Sequence, residues 1–218
     1  MRTIAFVTQK GGSGKSTLAS SVAVAAHEAG ERVFVLDMDP QQSLLKWSKA
    51  RKNTDIAVEA VQPGRVTAVM SALARSGVTL CIIDTAGTES SATAAAMKAA
   101  DLCIIPARPN AFDLWASEST RKALRDLRKD YVFLLNQCPP AQQSARIEEG
   151  VEMLEKMGGL ISPMIGARVD YQEAAGNGAG VTEWNPGGIA AEEIRKLWSS
   201  IKRRMTKAKS AAPTRRAA

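Results

Sequence analysis

Residues 9–17 read Gln9-Lys10-Gly11-Gly12-Ser13-Gly14-Lys15-Ser16-Thr17, between a short β-rich apolar run at 3–8 and a long Ala/Val-rich segment at 15–29. The glycines let backbone N–H groups turn inward as an anion-binding nest, and the helix that follows aims its positive end at the same point. In such a loop Lys15 reaches terminal phosphates, and the Ser16 hydroxyl suits a magnesium ion. A flexible Gly/Ser turn is the plain alternative, but it does not require a lysine and two hydroxyl residues between a strand and a helix. Such a loop confines the chain to folds in which a strand feeds directly into a helix.

The remaining sequence repeats that alternation. Runs at 3–8, 33–36, 56–61, 79–83, 102–105, 131–136 and 160–165 read as strands, and those at 15–29, 41–51, 65–75, 90–99, 113–128, 145–157 and 189–205 as helices. Strands separated by crossover-length helices imply an α/β fold, a mostly parallel twisted sheet with helices on both faces in three layers. Leu80-Cys81-Ile82-Ile83 is apolar without alternation, as a strand covered on both faces should be. Gly176-Asn177-Gly178-Ala179-Gly180 reads as a loop inside one domain spanning 1–205. Residues 206–218 hold no bulky apolar side chain and are expected to form a basic, disordered tail.

A strict phosphate-loop pattern has Gly where Gln9 stands, and a second lysine, Lys10, precedes the glycines. The stretch from Lys10 to Ser16 matches KGGxGK[ST], Asp37-Met38-Asp39-Pro40-Gln41 matches DxDPQ, and Leu80-Cys81-Ile82-Ile83-Asp84-Thr85 is an apolar strand ending in Asp. On these motifs the sequence resembles the ParA/MinD family of deviant Walker A ATPases, and is similar above all to the small plasmid-type ParA proteins. The resemblance spans about residues 2–202. It implies a P-loop NTPase fold and a cytoplasmic, magnesium-dependent ATPase that forms a sandwich dimer with ATP. It further implies nonspecific DNA binding, residence on the nucleoid in the ATP state, and hydrolysis stimulated by a ParB-like partner.

The candidate residues follow. Lys10, Gly11, Gly12, Ser13, Gly14, Lys15, Ser16 and Thr17 would bind the nucleotide. Asp84, at the carboxyl end of an apolar strand, stands where open α/β sheets hold ligands, and with Ser16 it would serve the magnesium ion. The resemblance gives Asp39 the attacking water and leaves Asp37 to the metal region or to loop geometry; helix capping is the structural alternative for each. Phosphoryl transfer needs cations on the γ-phosphate. Lys15 supplies one, and the resemblance implies that Lys10 reaches the partner subunit's nucleotide. Asn136, ending the strand at 131–136, either bonds adenine, as the resemblance implies, or makes a strand-end turn. Residues 165–170 would pass the other face of the base. Thr85-Ala86-Gly87 stands where the family commonly has Thr-Pro-Pro.

Charge is divided unevenly. Residues 194–218 hold nine of the 29 Lys and Arg and none of the 22 Asp and Glu, which leaves 20 bases against 22 acids on 1–193. Ile194, Leu197, Trp198, Ile201 and Met205 recur at helical spacing, so Arg195, Lys196, Lys202, Arg203 and Arg204 should face outward and suit DNA phosphates. A merely solvated face is the alternative. No apolar run approaches the roughly 18 residues of a membrane span, and no membrane partner is expected. A MinD-like amphipathic anchor would need a free apolar face, which the core stripe on this helix should consume. Cys81, Cys103 and Cys138 stand singly, without metal spacing, which argues for buried thiols and against an iron-sulfur reductase. A small-molecule ligase or kinase on the same scaffold stays open, although no second cluster of acids and bases is evident.

Overall fold

The computed structural model describes residues 1–139 and 145–211. Six strands form one sheet: β1 (Arg2–Phe6), β2 (Val33–Asp37), β3 (Ala57–Ala60), β4 (Leu80–Asp84), β5 (Leu102–Ala107) and β6 (Tyr131–Leu135). Their spatial order is β3-β2-β4-β1-β5-β6 and every pairing is parallel, as helical crossovers between successive strands dictate.

Successive side chains of a strand point to opposite faces, so the sheet divides the core in two. Ile4, Phe6, Leu80, Ile82, Leu102 and Ile104 pack under α1 (Lys15–Glu28), α2 (Ser43–Ala50), α7 (Val169–Gly176), α8 (Val181–Trp184) and α9 (Ile189–Ala211). Ala5, Val7, Cys81, Ile83, Cys103 and Ile105 pack under α3 (Val66–Arg75), α4 (Ser91–Ala99), α5 (Ala111–Asp126) and α6 (Ala145–Lys156). Both faces being covered, β4 and β5 are buried throughout, and all three cysteines are buried free thiols. The helix after the glycine loop, α1, is buried on nearly every side. Its Ala, Ser and Val residues permit this: Gly180 comes so near that an added Cβ would lie 2.6 Å from Val24 Cβ.

Two expectations are corrected. Residues 160–165 are not a seventh strand: they make one isolated bridge to β6, Leu160 to Phe133, and a second, Gly166 to Cys138, follows just beyond the segment. Ile161 and Ile165 donate to the Phe133 and Leu135 carbonyls at 2.8 and 2.9 Å, but Pro163 between them has no N–H and breaks the ladder. The last helix runs past Met205 to Ala211, so the segment predicted as tail begins in helix, and its remainder, 212–218, lies outside the described residues. The short helices α7 and α8, which flank the predicted glycine loop, carry too few residues to show a period.

Candidate nucleotide site

β2, β4 and β1 are neighbours, so their carboxyl ends bring three separate motifs together. The register sets Phe6 beside Asp84, and Asp84 beside Asp37. Beyond β1 the chain turns through Gly12 at φ 77° and Gly14 at φ 89°, a left-handed conformation that glycine adopts without strain. Gly14 caps α1 with no side-chain hydrogen bond, leaving the helix's first N–H groups for an anion.

Inside this turn Lys15 is only 6% exposed, and its Nζ donates to the Lys10 carbonyl at 3.3 Å. Burial holds its pKa below the usual lysine range, against the pull of Asp84 and Asp39. The Ser16 hydroxyl donates to Asp84 Oδ2 at 2.5 Å. Asp84 is fully buried, and burial pushes its pKa up to about 7 despite the Ser16 bond and the nearby Lys15 charge. Its other oxygen, Oδ1, is buried without a hydrogen-bond partner. An orphaned carboxylate oxygen beside a hydroxyl fits a hard divalent cation. Among the described residues no three His, Cys, Asp or Glu cluster as a metal cage. Mg²⁺ is usually held through one or two carboxylates, with phosphates and waters completing the shell.

The other two acids differ in task. Asp37 accepts N–H bonds from Asp39, Leu44 and Leu45 at 3.1, 2.9 and 3.0 Å, so it fixes the start of α2 and the loop before it. Burial raises its pKa, and these three donors oppose the rise. Asp39 is half-buried; its Oδ1 takes the Gln41 N–H at 2.9 Å, and it borders the phosphate cleft.

Two clefts meet at the glycine turn. One, of about 560 Å³, is lined by Gly11, Lys15, Ser16, Asp39, Trp47 and Gly87. The other, of about 340 Å³, is lined by Asn136, Gln137, Gly166, Ala167, Arg168 and Tyr171. Gly14 and Thr17 border both, an arrangement with room for a phosphate chain on one side and a base on the other.

The sequence profile of the CobQ/CobB/MinD/ParA nucleotide-binding domain matches residues 4–181. The chain belongs to the ParA/MinD family of P-loop ATPases. Maintenance of carboxysome distribution protein A of Halothiobacillus neapolitanus is 26% identical over 209 residues, 91% of this chain and 95% of the relative. Protein ParA of Rhizobium radiobacter is 26% identical over 171 residues, 71% of this chain and 77% of the relative. Among solved structures, the MinD cell division protein of Aquifex aeolicus superposes with a TM-score of 0.77 at 16% identity, over 93% of this chain and 97% of that one. That last likeness shows the ParA/MinD fold.

Within this family frame, β6 supplies contacts that motif reading missed. Asn136 Nδ2 donates to the Ser13 carbonyl at 2.7 Å and Gln137 Nε2 to the Gly12 carbonyl at 3.0 Å, so the end of β6 braces the phosphate loop. The donor nitrogen of Asn136 is therefore committed to the loop while the residue still borders the base cleft. Arg108 follows β5; its Nη1 lies 3.9 Å from where a Gly12 Cβ would stand, and Asp113 holds its Nε at 2.8 Å. The only signal for Gln137 or Arg108 was adjacency to a strand end. Residues 166–169 border the second cleft, where Arg168 pairs with Glu193 at 2.7 Å.

The five cations proposed for DNA lie on α9, outside both clefts. Lys196 pairs with Glu192 at 2.5 Å, Lys202 approaches Glu31 at 3.7 Å, and Arg204 pairs with Asp130 at 2.7 Å. Arg195 donates to the Pro186 carbonyl at 2.8 Å, and the bond made by Arg203 goes to the Ser200 hydroxyl at 3.4 Å. The apolar stripe Ile194, Leu197, Trp198, Ile201 and Met205 is buried against α1 and its neighbours, as predicted.

Proposed function

We propose that this chain is a magnesium-dependent ParA-like ATPase that dimerises around ATP, binds DNA without reading its sequence, and positions a cargo. A ParB-type partner sets the pace by stimulating hydrolysis. The observation that carries the reading is the meeting of Lys15, Ser16 and Asp84 at the head of α1, with Asp84 Oδ1 left unpartnered.

In this reading the backbone of 11–16 cradles the phosphates and Lys15 neutralises their charge. Ser16 and Asp84 would hold Mg²⁺, which would supply further charge neutralisation on the phosphates. Asp39, at the cleft wall, accepts a hydrogen bond from the attacking water and orients it in line. Lys10 from a second copy completes the cationic clamp on the γ-phosphate. The name of one relative, for maintenance of carboxysome distribution, supports a positioned assembly as cargo.

DNA is favoured over a lipid surface because the apolar face of α9 is spent in the core. Among the described residues no helix is long and apolar enough to cross a membrane.

The test loads the protein with a non-hydrolysable ATP analogue and measures mass by light scattering, then capture on random DNA and on anionic vesicles at two salt concentrations. The expected result is a doubled mass and salt-sensitive capture on DNA, with Lys10→Ala keeping nucleotide affinity and losing partner-stimulated turnover. A protein that stays single when saturated, or selects vesicles, overturns the reading.

A further inference from the structure

Phe112 and Trp115, on the first turns of α5, are 70% and 61% exposed, although the other phenylalanines and two of the other three tryptophans are buried or nearly so. Their rings meet edge to face, 5.6 Å between centroids at 82°, so the pair forms one preformed apolar surface. Beside it runs a cleft of about 490 Å³, floored by Pro109 and Leu114 and walled on the far side by Glu149 and Met153 of α6. Exposed aromatic anchors next to a groove are how proteins seat an amphipathic helix.

The rim gives the sign of the occupant. α6 exposes Glu148, Glu149, Glu152 and Glu155 beside Lys156, and Lys156 is already paired with Glu152 at 2.6 Å. Within a chain of net charge +7 this is an acidic face, and it borders the aromatic pair. Lysine and arginine complement such a face, so the charge favours a cationic segment over an anionic one.

We propose that the Phe112–Trp115 surface and the acidic face of α6 dock a basic amphipathic helix of a partner protein. The position gives such docking a route to the phosphates. Arg108 stands three residues before α5, and Asp113 of that helix holds it beside Gly12, so a partner seated on Phe112 presses on the helix that anchors Arg108. That this partner is the one that stimulates hydrolysis rests on the ATPase reading above; the docking surface itself does not.

The probe is a fluorescein-labelled peptide of about 18 residues, with Leu and Lys at helical spacing, set against a Leu/Glu peptide of the same pattern. Anisotropy with the full chain is expected to show binding of the Leu/Lys peptide, weakened by salt, and none of the Leu/Glu peptide. The double substitution of Phe112→Ser with Trp115→Ser, and separately Glu149→Lys with Glu152→Lys, should each weaken binding about tenfold. Nucleotide affinity and circular dichroism of both variants should match the wild type. Unchanged peptide affinity in either variant overturns the proposal. So does loss of self-association in the aromatic variant with peptide binding retained, which would make a second copy the occupant. Peptide binding by a protein that shows no ATP hydrolysis supports the surface and counts against the ATPase reading alone.

Discussion

Gly87 lies backbone to backbone against Gly11: a Cβ added to it would stand 2.6 Å from both the Cα and the N of Gly11. The loop after β4, where Thr85-Ala86-Gly87 replaces the family's common Thr-Pro-Pro, thus closes directly onto the phosphate loop at its lysine signature. Neither backbone can yield without moving the glycine turn. Gly87→Ala should therefore cut ATP turnover by about tenfold, a rise of ~1.4 kcal/mol in the barrier, while the melting temperature holds. Steady-state hydrolysis beside thermal melts checks this, and wild-type turnover would mean the contact opens during the cycle.

Asn136 sits between the phosphate loop and the base cleft, and its two tasks separate by experiment. Asn136→Ala removes the donor to the Ser13 carbonyl, at a cost of about 1 to 2 kcal/mol in nucleotide binding. If bracing the loop is its main task, ATP and GTP analogues should lose affinity equally in fluorescence titrations. A loss confined to the adenine nucleotide would transfer the residue to base recognition. Asn136→Asp should be worse than Ala, because a carboxylate would face the carbonyl it now serves.

What could be read from the sequence was what the chain keeps contiguous. The glycine loop, the strand-end acids Asp37 and Asp84, and the α9 stripe are each written within a few residues, and the structure places them as the local pattern demands. Contacts between distant segments were not legible. Asn136 and Ser13 stand 123 residues apart, and nothing in either type announces the pair. The partners of Lys202 and Arg204, Glu31 and Asp130, come from other parts of the chain, so the outward pattern of α9 does not show that these two cations are paired. The segment 160–165 looked like a strand because apolar composition registers neighbours, whereas a ladder also needs the N–H that Pro163 lacks.

Arg51 shows what such long-range pairing does for the cleft. Its side chain is 3% exposed and holds Asp55 at 2.9 Å and Glu183 at 2.7 Å, clamping the end of α2 to α8. Arg51 also lies over Trp47, which borders the phosphate cleft and donates to the Ala179 carbonyl. The Arg51 bond holds Asp55 below the usual carboxylate range; at Glu183 burial pushes upward, but the Arg51 and Gly180 bonds outweigh it. Depressed folded values mean stability that is present above the unfolded pKa, about 4, and lost as pH falls through the folded ones. Arg51→Leu should cost about 3 kcal/mol at neutral pH, weaken nucleotide binding through Trp47, and lose its deficit as the pH drops below about 4. Denaturant melts of both proteins across that range would expose the error if the gap stayed constant.

The α9 cations give the final prediction, because their pairing separates charge from fold. Arg204 bonds Asp130 and the Tyr131 carbonyl at 2.7 and 3.0 Å, so Arg204→Glu sets two acids against each other at the start of β6 and should cost about 1 kcal/mol of stability. Arg203 is exposed and has its bond to a hydroxyl, so Arg203→Glu should leave the melt unchanged. If Arg203 meets a phosphate, the reversal should reduce the slope of log affinity against log salt by about one for each subunit bound. It should weaken ATP-dependent DNA capture equally for any sequence, since backbone contacts carry no base information. An unaltered salt slope in Arg203→Glu, with DNA still captured, would move the DNA surface off this face of α9.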